Sequence, residues 1–125
     1  MTVIYNRKSL IFFFTLETKA MPAVRLYFRE LEDILYEKEY FGFEDSAIQY
    51  VRSLIFDIEK YLHTSAKRKA PIYFERYGKN MYYSVFWKNR RTQWYAFFTV
   101  YEDNGALIYY VRYISNNHVI AQYLQ

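Results

Sequence analysis

The stretch that decides the fold is MYYSVFWKNRRTQWYAFFTVYEDNGALIYYVRYI, residues 81–114. It contains three runs rich in aromatic and β-branched residues, which favour strands: residues 81–88, 93–101 and 107–114. The last two runs are separated by Asp-Asn-Gly at positions 103–105, and Asn and Gly tolerate the positive φ angles of a tight hairpin turn. We therefore expect an antiparallel meander in this part of the chain.

The chain ahead of the meander follows a helical period in two segments. Pro22 suits the first turn of a first helix that ends near Gly42, and Asp45 or Ser46 is a plausible N-cap of a second. The short link over residues 40–44 predicts an antiparallel helix hairpin. The apolar stripes of these two helices are expected to be Val24, Phe28, Leu31 and Leu35, and Ile48, Val51, Ile55, Ile58 and Leu62.

Three further segments complete the expected fold. Residues 9–16 (SLIFFFTL) are interpreted as an N-terminal strand, and residues 72–77 as an additional strand before the meander. Residues 116–124 are predicted to form a short helix that begins at Ser115 or Asn116. The expected fold is α+β: an N-terminal strand and an antiparallel helix hairpin packed on a C-terminal antiparallel β-meander, with a short C-terminal helix, in one domain over residues 1–125.

The charge is divided unevenly along the chain. Residues 1–62 hold 8 Lys and Arg against 10 Asp and Glu, whereas residues 63–125 hold 9 against 3. The first half is therefore net −2 and the second net +6, which together give the chain's +4. A cationic sheet joined to an acidic helical half favours a polyanionic partner.

Composition argues against several kinds of site. The chain has no cysteine, which excludes a disulfide framework, a CxxC zinc site and a cysteine nucleophile. It has neither a His-x-x-x-His spacing nor a carboxylate cluster near a histidine, so we expect no metal and no cofactor. No run approaches the ~20 apolar residues of a membrane span, so we expect no membrane association and a cytoplasmic location.

Three stretches resemble a known family. They are AIQYV at residues 47–51, YSVF at 83–86 followed by WYAFF at 94–98, and the closing VRYISNNH at 111–118. Together with the order of the predicted elements, they make nearly the whole chain resemble the RelE/ParE superfamily of small bacterial toxins. The resemblance implies a toxin of a type II toxin–antitoxin system that is neutralised by a small antitoxin protein. Exposed aromatic residues are candidate contacts for that antitoxin: Tyr27, Tyr36 and Tyr40.

The resemblance leaves the activity open, because one fold hosts several functions. RelE-like members are metal-independent endoribonucleases that cut mRNA on the ribosome, ParE-like members act on DNA gyrase, and a degenerate toxin would only bind its antitoxin. RelE-like enzymes use Lys and Arg on the central strands, with an Arg and a Tyr near the C-terminus. Here the strand Arg falls near Tyr95, the lysine-bearing strand reaches only Lys88, the late Arg falls near Asn117, and the Tyr falls at Tyr123. The match is therefore partial.

The residues themselves indicate other catalytic groups. Metal-free RNA cleavage needs a base for the 2′-hydroxyl, an acid for the leaving 5′-oxygen and positive charge for the phosphate. His118 is the first candidate for acid or base, because it follows Asn116 and Asn117 at a strand-to-helix junction whose backbone N–H groups could bind phosphate. Its structural alternative is a helix cap. Tyr95 and Tyr123 could stack on bases or donate a proton, with core packing as the alternative.

Cationic residues supply the expected phosphate contacts. Alternation points Arg112 away from both Val111 and Tyr113, so it is a phosphate ligand if that face is open, or else the partner of a carboxylate in the first helix. Two more groups lie at opposite ends of the predicted sheet. They form either a polyanion-binding surface or ordinary solvated surface: Lys88, Arg90 and Arg91, and Lys67, Arg68 and Lys69.

Overall fold

The fold combines an antiparallel sheet with helices. The computed structural model describes residues 2–6, 12–15, 26–32 and 44–124. Its helices are α1 (residues 26–32), α2 (Glu44–Tyr61) and α3 (Asn117–Ile120), with 3₁₀ helices at Ile72–Arg76 and Ala121–Tyr123. Its strands are β1 (Thr2–Asn6), β2 (Phe12–Thr15), β3 (Arg68–Lys69), β4 (Tyr82–Trp87), β5 (Gln93–Asp103) and β6 (Ala106–Asn116).

One sheet joins the six strands of the described chain in the order β2-β1-β6-β5-β4-β3, and every neighbouring pair is antiparallel. The α+β class and the meander of β4, β5 and β6 are thus confirmed. The expected N-terminal strand overlaps β2, whereas β1 is an additional strand. Because β1 pairs with β6, the start of the chain lies beside its last strand.

The turn between β5 and β6 forms as its residue types predict. Asp103 pairs with Ala106, so the loop consists of Asn104 and Gly105 alone. Both have positive φ angles, 50° and 80°, which is the conformation of the two-residue hairpin turn that matches strand twist. This turn fixes the register of the two longest strands.

Helices α1 and α2 cover one face of the sheet. Helix α2 begins at Glu44, so the proposed caps Asp45 and Ser46 lie inside its first turn. Of the predicted first helix, residues 26–32 are helical, and the rest, with the link between the helices, lies outside the described residues. The helix-side core consists of side chains from α1, α2, β4, β5 and β6: Phe28, Leu31, Val51, Leu54, Ile58, Leu62, Phe86, Trp94, Ala96, Phe98, Tyr109, Val111 and Ile114.

The predicted strand at residues 72–77 is wrong, because this segment is a 3₁₀ helix that packs on the opposite face of the sheet. Pro71 precedes it with φ −59°, and Phe74 is fully buried with its ring stacked on that of Phe97 at 4.3 Å. The C-terminal turn covers the same face, which we call the second face. Its buried core consists of Phe74, Met81, Tyr83, Tyr95, Phe97 and Ile120.

A β-bulge changes the alternation of β6. Phe97 pairs with Tyr113 and Phe98 with Val111, so Arg112 is the extra residue. As a result, Val111 packs into the helix-side core and Tyr113 against the second-face core. The expectation that Val111 and Tyr113 share one face, with Arg112 on the other, is therefore wrong.

Candidate functional site at the hairpin tip

The loop between β4 and β5 is held in one conformation by Asn89. The Lys88 amide donates to the Thr92 carbonyl at 3.1 Å and closes the loop. The Asn89 side-chain oxygen accepts from the backbone N–H groups of Arg91 and Thr92, both at 2.8 Å. The side chains of Arg90 and Arg91 are exposed. The fixed loop therefore presents two guanidinium groups at one end of the sheet.

The C-terminal segment docks against this loop through two further asparagines. Asn116 is the N-cap of α3, because its side-chain oxygen accepts from the His118 amide at 3.0 Å. This confirms the predicted start of the last helix. Asn117 donates from its amide nitrogen to the Arg91 carbonyl and accepts from the Gln93 N–H, each at 2.9 Å. The loop between β4 and β5 and the C-terminal segment are therefore joined by hydrogen bonds.

His118 lies where the two parts meet. Its exposed ring places Nε2 3.3 Å from Oγ1 of Thr92. Asn89, Arg90, Arg91, Thr92 and His118 line one shallow, open depression, which we call the tip site. An imidazole, a hydroxyl and two guanidinium groups suit an anionic ligand such as a phosphodiester. Among the predicted residues, the structure thus brings together His118, Arg90, Arg91, Asn116 and Asn117.

The backbone amide of His118 is already used within the protein, since it donates to Asn116. A phosphate at this junction would therefore be bound by side chains rather than by that N–H group. Thr92 and Asn89 were not singled out from the sequence. The sequence feature that could have indicated these two residues is the polar run Asn-Arg-Arg-Thr in the loop of a predicted hairpin.

Lys88 does not join the tip site. Its ammonium group contacts Asp57 Oδ2 at 3.0 Å, bonds to the Ser53 hydroxyl and lies 5.8 Å from the ring centre of Tyr50. Lys88 therefore connects the sheet to α2. These contacts place the Lys88 ammonium group on the helix side of the sheet.

The other basic run lies at the far end of β4. Arg68 pairs with Tyr83 and Lys69 with Tyr82 at the start of that strand, whereas the tip site follows its end. Lys67 donates to the carbonyls of His63 and Ser65 just after α2. The two basic groups lie at opposite ends of β4, as expected.

Tyr95 and Tyr123 both pack in the core of the second face. Tyr95 is buried, and its hydroxyl donates to Gln93 Oε1 at 2.7 Å. Burial raises its pKa, with a further increase from Tyr83 and an opposing effect of Arg68, so the phenol is a weaker acid than usual. The ring of Tyr123 stacks on that of Tyr73, with the ring centres 3.8 Å apart and an angle of 2° between the ring planes. Tyr95 is thus hydrogen-bonded to Gln93 and Tyr123 is stacked on Tyr73.

Arg112 is exposed at the bulge. Its side chain passes over Gly78, where an added Cβ would lie 2.6 Å from Cδ of Arg112. Its guanidinium carbon lies 4.7 Å from the ring centre of Tyr110. Within the described part of the chain it thus stacks on an aromatic ring rather than pairing with a carboxylate of α1.

The described residues contain neither a metal-binding cluster nor a membrane-spanning helix. No group of three or more His, Asp or Glu side chains is arranged there to bind a metal ion. No helix there has the length and apolar character needed to cross a lipid bilayer.

Comparison with protein-family models, with curated proteins and with solved structures finds no match for this chain. The resemblance to RelE/ParE toxins therefore stays a prediction from the sequence.

Proposed function

We propose that this protein is the toxin component of a type II toxin–antitoxin system, similar to RelE, and cuts mRNA on the ribosome without a metal ion or other cofactor. The cytoplasm of a bacterium is the location that this role requires. The observation that carries the proposal is the junction of the Arg90–Arg91 loop with His118. It supports RNA cleavage because a proton carrier and phosphate-binding cations line one open depression.

In this proposal His118 exchanges a proton with the RNA, and Arg90 and Arg91 stabilise the negative charge that develops on the phosphate. Thr92 accepts or donates a hydrogen bond at Nε2, depending on the tautomer, and so orients the imidazole. Among the side chains that line the tip site, the imidazole of His118 is the one general acid–base group. We therefore assign the complementary proton transfer to a group of the ribosome or of the RNA.

The test is cleavage of a defined mRNA in a reconstituted translation system. The intact protein should cleave the mRNA when ribosomes are present. His118→Ala should slow cleavage by about 100-fold or more, the usual size of a general acid–base contribution. The control Val119→Ala alters the exposed neighbour of His118 and should leave the rate unchanged. Equal rates for His118→Ala and the intact protein would contradict the proposal.

A non-catalytic role is the second candidate, either as a ParE-like gyrase inhibitor or as a degenerate toxin that only binds its antitoxin. It is favoured by the contacts that Tyr95 makes with Gln93 and Tyr123 makes with Tyr73, and by the use of Lys88 in an ion pair with Asp57. Inhibition of DNA supercoiling by purified gyrase would identify the first form. Intact mRNA, normal supercoiling and binding to the product of the neighbouring gene would identify the second.

The proposed antitoxin partner would cover apolar surface that is now exposed. Tyr27 offers little such surface, because it is half-buried and its ring packs against the helix-side core. Tyr36 and Tyr40 lie outside the described residues. Better candidates are Tyr61 and Trp87, which line one depression between α2 and the end of β4 and are 47% and 61% exposed.

The fluorescence of Trp87 tests this contact. The chain has two tryptophans, and the other, Trp94, is 2% exposed. Binding of the antitoxin should shift the emission of the protein to shorter wavelength, and Trp87→Phe should remove that shift. If the shift persists in Trp87→Phe, the antitoxin binds elsewhere.

A further inference from the structure

The side chain of Asn117 holds the hairpin loop on both sides of one residue. Its amide nitrogen donates to the carbonyl of Arg91, and its oxygen accepts from the N–H of Gln93. Thr92 lies between these two backbone groups. The regular pairing of β5 with β6 ends at Trp94 and Asn116, so Asn117 extends that pairing by one step through its side chain.

This arrangement fixes the geometry of the tip site from both directions. Asn89 binds the amides of Arg91 and Thr92 from inside the loop, and Asn117 binds the flanking carbonyl and amide from outside. The two hydrogen bonds of the Asn117 side chain, which we call the clamp, join the C-terminal segment to the loop on both sides of Thr92. His118 follows Asn117 directly, so the clamp also positions the imidazole. The 3.3 Å distance between Nε2 of His118 and Oγ1 of Thr92 spans the loop and the C-terminal segment, and the Asn117 side chain joins these two parts directly.

We propose that Asn117 is the positioning residue of the tip site, holding His118 and Thr92 together without contacting the RNA. The inference rests on the proposed function for its catalytic consequence, but its structural part is independent of cleavage. Aspartate at position 117 could still accept from the Gln93 N–H, yet an ionised carboxylate cannot donate to the Arg91 carbonyl. Asn117→Asp should therefore keep half of the clamp and Asn117→Ala none of it.

The histidine NMR spectrum tests the clamp directly. The chain has two histidines, so the imidazole signals of His118 are assigned by their loss in His118→Ala, and His63 serves as an internal reference. Asn117→Ala should shift or broaden the ¹⁵N signals of the His118 ring and leave those of His63 in place. The control is Gln122→Ala, an exposed residue of the same C-terminal segment, which should change neither set. Unchanged His118 signals in Asn117→Ala would overturn the inference.

The kinetics of cleavage of ribosome-bound mRNA test the catalytic consequence of the clamp. Because a misplacement of about 1 Å can slow a reaction about 100-fold, Asn117→Ala should lower kcat by about 10- to 100-fold. The arginines remain exposed, so KM should change by less than about threefold, and Asn117→Asp should lie between Asn117→Ala and the intact protein. A rise in KM at constant kcat would instead assign Asn117 to RNA binding and overturn the inference.

The two measurements separate the two hypotheses. If the intact protein does not cleave mRNA but Asn117→Ala moves the His118 signals, the proposed function fails and the clamp stands. If the intact protein cleaves mRNA and Asn117→Ala has the rate and spectrum of Gln122→Ala, the clamp fails and the proposed function stands.

Discussion

Replacement of Phe74 by alanine tests whether the second face of the sheet is a packed core. The Phe74 side chain is fully buried, its ring stacks on Phe97 at 4.3 Å, and it meets the ring of Tyr73 edge-on at 5.0 Å. Truncation of a fully buried Phe to Ala costs about 3–5 kcal/mol, from lost burial and from the cavity that remains. We expect Phe74→Ala to lower the free energy of unfolding by about 4 kcal/mol. With a urea m-value of about 2 kcal/mol/M, the unfolding midpoint should fall by about 2 M.

The assay is equilibrium urea unfolding followed by circular dichroism. Ile72→Ala is the matched control, because Ile72 belongs to the same 3₁₀ helix but is 82% exposed, and its effect should stay within about 0.5 kcal/mol. Phe74→Leu, with an expected cost of about 1–2 kcal/mol, gives a measurable value if the alanine variant does not fold. A cost below about 1 kcal/mol for Phe74→Ala would refute the packing of this helix on the sheet.

Three further predictions concern an ion pair, a turn and two tyrosines. Lys88→Met should lower the free energy of unfolding by about 1–2 kcal/mol, since it leaves Asp57 without its cation in a partly buried position, and should change RNA affinity in a filter-binding assay by less than twofold. A large loss of RNA affinity without destabilisation would show that Lys88 binds RNA. Gly105→Val should cost about 1–2 kcal/mol more than Gly105→Asn, because Asn tolerates the φ of 80° at this position, and equal urea midpoints would contradict the turn. Burial raises the pKa of Tyr27 and Tyr77 to about 12, so the folded protein keeps phenolic protons that the unfolded chain loses near pH 10, and stability should fall as the pH rises from about 10 to 12. Urea midpoints that stay constant over that range would count against the burial of these rings.

Some elements could be predicted from sequence because local chemistry determines them. The apolar spacing over Val51, Ile58 and Leu62 gives α2, and Asn104-Gly105 gives the turn. The segment from Ile72 was predicted wrongly because its aromatic residues favour a strand, whereas burial of Phe74 against Phe97 stabilises a 3₁₀ helix. This is tertiary packing that overrides local propensity. The bulge at Arg112 likewise leaves no mark on the residue pattern.

Much of the tip site was within reach of the sequence. Counting outward from the two-residue turn pairs Asn117 with Thr92, and the extra residue of the bulge shifts this partner to Gln93. The turn alone therefore brings the Asn-Arg-Arg-Thr loop near the Asn-Asn-His segment. The sequence could not show that Arg90 and Arg91 belong to the tip site whereas Lys88 does not. This difference arises because Asp57 of α2 lies 3.0 Å from the Lys88 ammonium group.

The measurement that tests the central claim most directly is a map of cellular RNA 5′ ends during inducible expression of the chain, compared between the intact protein and His118→Ala. If the tip site cuts mRNA, new 5′ ends should accumulate within translated regions for the intact protein and disappear for His118→Ala produced at the same level. Growth arrest with an unchanged set of 5′ ends, or the same new ends in both strains, would contradict the assignment of RNA cleavage to this site.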